Sequence, residues 1–203
     1  IDGALSRKSF ASPSITQAMI LSTGAVVSAS IEKITEKTLF VYNMTKLPTV
    51  NEDLAKKLSN ISKGIYAILE NDEVIDLNIP SLLMIDKYKD KIFSQGKTLF
   101  IPGIITDKIL NLILTQKNTN DFTLITKDFT HIFSTPTLTK IYLERGGKIN
   151  YLYKTSLIAI TINPVSPLGF KVNSNKLLNK KKKKINLPIY NIKDIDIWIS
   201  RQQ

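Results

Sequence analysis

The chain has no cysteine, one histidine (His131), one tryptophan and three arginines, Arg7, Arg145 and Arg201. Without cysteine there is no disulfide framework, no thiolate metal site and no thiol nucleophile. The lack fits a reducing compartment, so a cytoplasmic location is expected. A catalytic triad or a histidine-rich metal site would depend wholly on His131, which reads as a polar loop side chain. No run approaches the roughly 18 uninterrupted apolar residues of a membrane helix. The longest candidates, such as residues 157–162, are strand-sized, so a soluble protein with no membrane partner is expected. Neither G-x-x-x-x-G-K-[ST] nor G-x-G-x-x-G occurs, so the backbone cradle that holds a nucleotide's phosphates is missing from this stretch. The opening Ile1-Asp2-Gly3-Ala4 is neither an initiator methionine nor the basic start of an export signal, and the natural beginning is expected to lie upstream of Ile1.

What is present is an ordinary globular composition: 203 residues, 43% hydrophobic and 22% charged, a size between one large domain and two small ones. The formal net charge of +11 raises nucleic acid, an anionic membrane surface or an acidic protein as partners. The excess is lysine in a chain also rich in asparagine and isoleucine, as an AT-rich genome produces. Nucleic-acid readers favour arginine for bidentate contacts, so a nucleic-acid partner is not expected.

Apolar spacing and breakers divide the chain into alternating elements. Ile1 reads as the tail of a strand that stops at Asp2-Gly3, residues 5–13 as loop, and residues 18–21 as a short strand closing at Gly24. Residues 30–47 carry Ile31, Ile34, Leu39, Val41, Tyr42 and Met44 near a 3.6-residue period, which predicts an amphipathic helix ended by Pro48. Asn51 is placed to cap a second helix, with Gly64 as its stop. Residues 65–69 and 74–77 flank Asn71-Asp72 as a hairpin whose turn lacks glycine.

A helix over 81–94, a strand over 98–101, a helix over 107–116 capped by Thr106 and a strand over 122–126 are expected next. A helix from Thr135-Pro136 to Arg145 and strands over 148–152 and 157–162 complete the series. Ile195, Ile197, Trp198 and Ile199 look like a terminal strand or packed tail. Such alternation implies an α/β fold with a mostly parallel sheet covered by helices on both faces. We expect a domain boundary near residue 78, with a second α/β domain over 79–203.

Ligands of such sheets bind beyond the carboxyl ends of the strands, which directs attention to the loops at 102–104, 127–130 and 163–169. Asp128 stands at the end of a predicted strand, where it either meets a ligand or caps a turn. Asn163 opens a loop stiffened by Pro164 and Pro167 and released by Gly169; such rigidity either holds a binding group in place or turns the chain sharply. Asp2 ends its strand as the acidic strand of a nucleotide-hydrolysing fold does, with its carboxylate on the Mg²⁺ side, although a plain Asp-Gly turn has the same spacing. Arg7 and Lys8, flanked by Ser6 and Ser9, make a sensible anion clamp if phosphate sits there, or a solvated loop if it does not. Lys180 to Lys184 are five lysines in a row without the interleaved aromatics of a single-strand binder, so they read as a solvated helix end and linker.

The residues Ile1-Asp2-Gly3-Ala4-Leu5-Ser6-Arg7-Lys8-Ser9-Phe10-Ala11-Ser12-Pro13 and Ile20-Leu21-Ser22-Thr23-Gly24-Ala25 resemble blocks of the accessory subunit of the lysine 5,6-aminomutase reactivase. Residues 127–133 and 160–170 are similar to later blocks of the same family, so the resemblance runs in order along nearly the whole chain. It implies that residues 1–78 are the C-terminal remainder of a P-loop-NTPase-like domain whose P-loop half lies upstream, absent from this chain, and that ATP and Mg²⁺ are ligands that depend on that half. Asp2 would be the Mg²⁺-side acid, with Arg7, Lys8 and Ser9 near the phosphates. The partners implied are a MutS-like ATPase and the cobalamin-dependent lysine 5,6-aminomutase of amino-acid fermentation. No cobalamin is expected on this chain, because no D-x-H-x-x-G context surrounds His131. Asp128 and Asn163 are the site candidates of the second domain by position, and the fragment alone is not expected to be catalytic. The alternative is a basic α/β module that contacts nucleic acid or an acidic protein through Lys176 and Lys180 to Lys184. A small-molecule enzyme of the α/β class ranks last.

Overall fold

The structure is a computed structural model that describes residues 12–13, 16–80 and 82–194. In chain order the elements are β1 (Met19–Gly24), α1 (Ile31–Met44), α2 (Glu52–Ser59), β2 (Tyr66–Ile68), β3 (Val74–Asp76) and α3 (Lys89–Ser94). Then come β4 (Thr98–Phe100), α4 (Asp107–Leu114), β5 (Thr123–Thr126), α5 (Pro136–Glu144), β6 (Lys148–Tyr151), β7 (Leu157–Asn163), α6 (Ser174–Lys182) and β8 (Ile189–Asn191). The fold is α/β, and the described residues form two sheets, one of three strands in the order β1-β7-β8 and one of five in the order β3-β2-β4-β5-β6. No helix among the described residues is long and apolar enough to cross a membrane.

The chain forms two compact units, one from Ile1–Ile15 and Leu47–Lys154, the other from Thr16–Lys46 and Thr155–Gln203. The seams thus fall after Ile15, after Lys46 and after Lys154, and residue 78, where a boundary was expected, lies inside the first unit. The reason is pairing over a long sequence distance. β1 is hydrogen-bonded in parallel to β7, so both stretches belong to one sheet.

In the first unit β4, β5 and β6 are parallel, and the β2–β3 hairpin adds antiparallel strands on the β4 side. The hairpin closes without glycine because Asp72 takes a φ of 58°, a left-handed conformation that Asp tolerates better than most residues. Asn51 caps α2 through its side chain, which accepts from the Leu54 amide at 2.7 Å. That helix ends at Ser59, well before Gly64. Its Leu54 and Leu58 pack with Ile68, Phe100, Ile125 and Leu152. Leu99 and Leu124 alternate with Phe100 and Ile125 toward the other face and are also fully buried, so both faces of this sheet are covered. The segment expected as one helix over 81–94 is a 3-10 helix, Leu82–Tyr88, followed by α3.

In the second unit β7 pairs in parallel with both β1 and β8. Ser30 caps α1 by accepting from the Lys33 amide, and the helix stops at Met44, before Pro48. Ile34 and Tyr42 of α1 and Leu177 of α6 share one cluster with Ile160 and Ile162 of β7 and with Ile185 and Ile189. The predicted terminal strand over 195–199 lies outside the described residues, whereas β8, at Ile189–Asn191, was not anticipated. Its three residues follow Pro188 and are too few for a period to show.

Candidate functional site

The first unit concentrates its polar groups at the carboxyl ends of β5 and β6. The chain leaves β5 in an extended conformation at Asp128 and turns into a short 3-10 helix, Phe129–His131, which Asp128 caps. The Asp128 side chain is buried, and both of its oxygens are occupied. Oδ1 accepts the Thr130 amide at 2.8 Å and the Thr130 hydroxyl, with His131 Nδ1 at 3.3 Å. Oδ2 accepts the Ser12 hydroxyl at 2.6 Å. Burial pushes the Asp128 carboxyl up, but the hydrogen bonds from His131, Ser12 and Thr130 outweigh it and hold the pKa down at about 2. Asp128 is therefore a fixed anion at neutral pH, unsuited to giving or taking a proton there. With Nδ1 directed to Asp128, the remaining ring nitrogen of His131, Nε2, is the atom this group can offer to a ligand.

Tyr151, the last residue of β6, pairs in register with Thr126 of β5. Its ring is buried, and its hydroxyl has no hydrogen-bond partner among the described residues. Burial, and then the negative charge of Asp128, push the phenol above its ordinary value. Sequence reasoning missed Tyr151 and Ser12; only the parallel register of β5 and β6 and the return of the chain at Ser12 bring them to Asp128.

The loops after β4 and β5 are laced together. The Ile105 amide donates to His131 O and the Phe133 amide to Ile105 O, both at 2.8 Å, while the Thr126 hydroxyl donates to Gly103 O. The loops at 102–104 and 127–130 thus form one rim. Thr106 and Thr135 stand at the starts of α4 and α5 without capping them through their side chains. Instead Asp107 reaches across, accepting the Thr135 amide at 2.6 Å.

Asn163 belongs to the second unit, where it ends β7 beside Gly24 of β1. Its side-chain oxygen accepts the Val165 amide at 3.0 Å, and its carbonyl accepts the Ala25 amide at 2.8 Å. The loop beyond it folds on itself: the Ser166 amide donates to Phe170 O, the Gly169 amide to Ser166 O, and the Val172 amide to Pro164 O. Leu168 at its tip is 87% exposed. Asn163 is therefore a turn-forming residue whose side-chain oxygen is already engaged, and Gly169 supplies the positive φ the turn needs.

Asp128 and Asn163 lie in different units. Asp2, Arg7, Lys8 and Ser9, the residues expected to meet Mg²⁺ and phosphate, lie outside the described residues. Among the described residues no three of the His, Asp and Glu side chains stand together as a metal cage. The five-lysine run is not uniformly solvated as its composition suggested. Lys180 to Lys182 form the last turn of α6, Lys180 pairs with Glu32 at 2.7 Å, and Lys181 is buried. A four-residue spacing accounts for this: Leu177 and Lys181 share the inner face of α6, and Ile185, just past the helix end, is buried as well. No protein-family model, curated protein or solved structure matches the chain, so its functional reading rests on these positions and on the sequence blocks that occupy them.

Proposed function

We propose that this chain is the C-terminal part of an accessory subunit of an ATP-dependent reactivase that restores a cobalamin-dependent lysine 5,6-aminomutase in amino-acid fermentation, beside a MutS-like ATPase. The observation that carries this reading is where the resembling blocks fall. Residues 20–25 form most of β1 and the turn after it, and residues 160–170 form the carboxyl half of β7 and its loop. The two blocks are far apart in sequence yet are parallel neighbours, with Gly24 opposite Asn163. The block at 127–133 contains Asp128 and the 3-10 turn that it caps. Carboxyl ends of parallel strands are where α/β proteins place their ligands and partner-reading loops, whereas a purely packing motif would be spread along the strands.

On this reading the upstream P-loop half supplies the phosphate cradle, Asp2 the Mg²⁺-side acid, and Arg7, Lys8 and Ser9 the contacts near the phosphates. The described residues offer neither a phosphate cradle nor a metal cage. Their part is to present the rims at Asp128 and Asn163 to a protein partner. Cobalamin stays with the aminomutase. The test mixes the complete protein, with its upstream half, with the MutS-like partner and an inactivated lysine 5,6-aminomutase, then supplies ATP and fresh adenosylcobalamin. Activity that returns, and is lost with Asp2→Asn, supports the reading. Absence of recovery with any nucleotide overturns it.

A further inference from the structure

Within the lysine run, Lys181 is the residue that faces inward: it is 0% exposed, while Lys180, Lys182, Lys183 and Lys184 are exposed. It occupies a core position of α6, between Leu177 one turn before and Ile185 one turn after, both members of the unit's apolar cluster. Its ammonium has three N–H groups, and the hydrogen bond it makes goes to Thr38 Oγ1 at 3.0 Å. Thr38 in turn donates to Ile34 O at 2.7 Å and lies 3.1 Å from the Thr23 hydroxyl. Thr38 is thus a neutral acceptor and offers no countercharge.

Among the described residues, the groups that surround α6 leave this amine unopposed. On α1, Glu32 is committed to Lys180. Tyr42 accepts the Asn186 amide and has Lys46 over its ring at 4.1 Å. Lys33, Glu36 and Lys37 are exposed, and β7 and β8 carry no charged residue. No ion pair forms at Lys181 among the described residues. A charge in that position is costly, because burial removes its water without supplying an anion.

We propose that Lys181 makes the seating of α6 on α1 depend on pH: with a neutral amine the helix packs, and a proton on the amine drives the C-terminal half of α6 off the core. Burial pulls the Lys181 pKa down to about 7, which places the change in the neutral range. The location favours a local response. Lys181 is in the last turn of its helix, where fraying breaks few hydrogen bonds, and the exposed lysines beside it repel a new charge.

Amide hydrogen exchange on the whole chain at about pH 5.5 and about pH 8.5, corrected for intrinsic rates, tests this. The expected result is that residues 177–185 exchange roughly tenfold or more faster at the lower pH, while α2 and β5 do not change. Lys181→Met is expected to remove the difference and Lys180→Met to keep it. Equal protection of 177–185 at both values in the native chain overturns the proposal, as does a Lys181→Met chain that keeps the full difference. Should Lys181→Met not fold, ¹³C-lysine NMR of the native chain decides. One side chain titrating near neutrality supports the proposal, and all titrating in the ordinary lysine range overturns it.

Discussion

A β-carbon on Gly24 would stand 1.9 Å from the carbonyl oxygen of Asn163. The neighbouring strands β1 and β7 approach at their carboxyl ends so closely that only a hydrogen fits, and the Gly24 φ of 148° is itself open to little but glycine. Gly24→Ala is therefore expected to cost about 3 kcal/mol or more through strain and local separation of the strands. Urea unfolding of the variant checks this, and the loss of the Ala25 to Asn163 hydrogen bond should appear as faster exchange at Ala25.

Asp128 gives a second expectation. Its carboxyl is held at about 2 against an ordinary 3.8, so the folded chain binds this proton more weakly than the unfolded chain. The stabilisation is fully present above the unfolded value and is lost as pH falls through about 4 toward 2, amounting to roughly 2 kcal/mol. Asp128→Asn keeps one acceptor but leaves the Ser12 hydroxyl facing an amide. We expect a loss of about 1–3 kcal/mol at neutral pH and a flatter acid limb in pH-dependent thermal melts.

For Tyr151 the expectation runs the other way. Its buried hydroxyl has no partner among the described residues, so removing it discards a desolvated group without breaking a hydrogen bond to any of them. Tyr151→Phe should leave stability unchanged or raise it by up to about 1 kcal/mol, measured by denaturant midpoint. A loss larger than that would mean the hydroxyl is satisfied in solution.

Lys181 predicts a slope. Its folded pKa of about 7 lies below the ordinary 10.5, so between those values the unfolded chain carries the proton and the folded chain does not. Stability attributable to this group is lowest below pH 7 and rises as pH climbs toward 10.5. Lys181→Met should remove that rise and stabilise the chain by about 1–4 kcal/mol at neutral pH. Paired unfolding curves of the two proteins across that range give the difference directly.

Local signals in the sequence were sufficient where one residue dictates a local structure. Asn51 announced the start of α2 and Thr135-Pro136 that of α5, and the strands at 98, 123, 148 and 157 were visible as short β-branched or apolar runs. Asp128 stood out because it follows such a run. What stayed hidden depends on contacts made across the chain. The assignment of residues 16–46 to the same unit as 155–203 follows from β1 pairing with β7, and no residue on either strand advertises its partner. Lys181 was hidden for a different reason: a lysine among lysines reads as solvated, and only the four-residue interval from Leu177 to Ile185 marks it as an inner position. Tyr151 needed the register of β5 against β6.

The pairing of β1 with β7 also fixes an order of events during synthesis. β1 leaves the ribosome well before β7 and cannot acquire this partner strand until residues 157–163 have been made, by which time residues 47–154 of the first unit have been translated. At about 5–20 residues per second that interval is on the order of ten seconds. Throughout it the apolar side of α1 waits without β7, and the lysine-rich stretch that completes the core emerges later still.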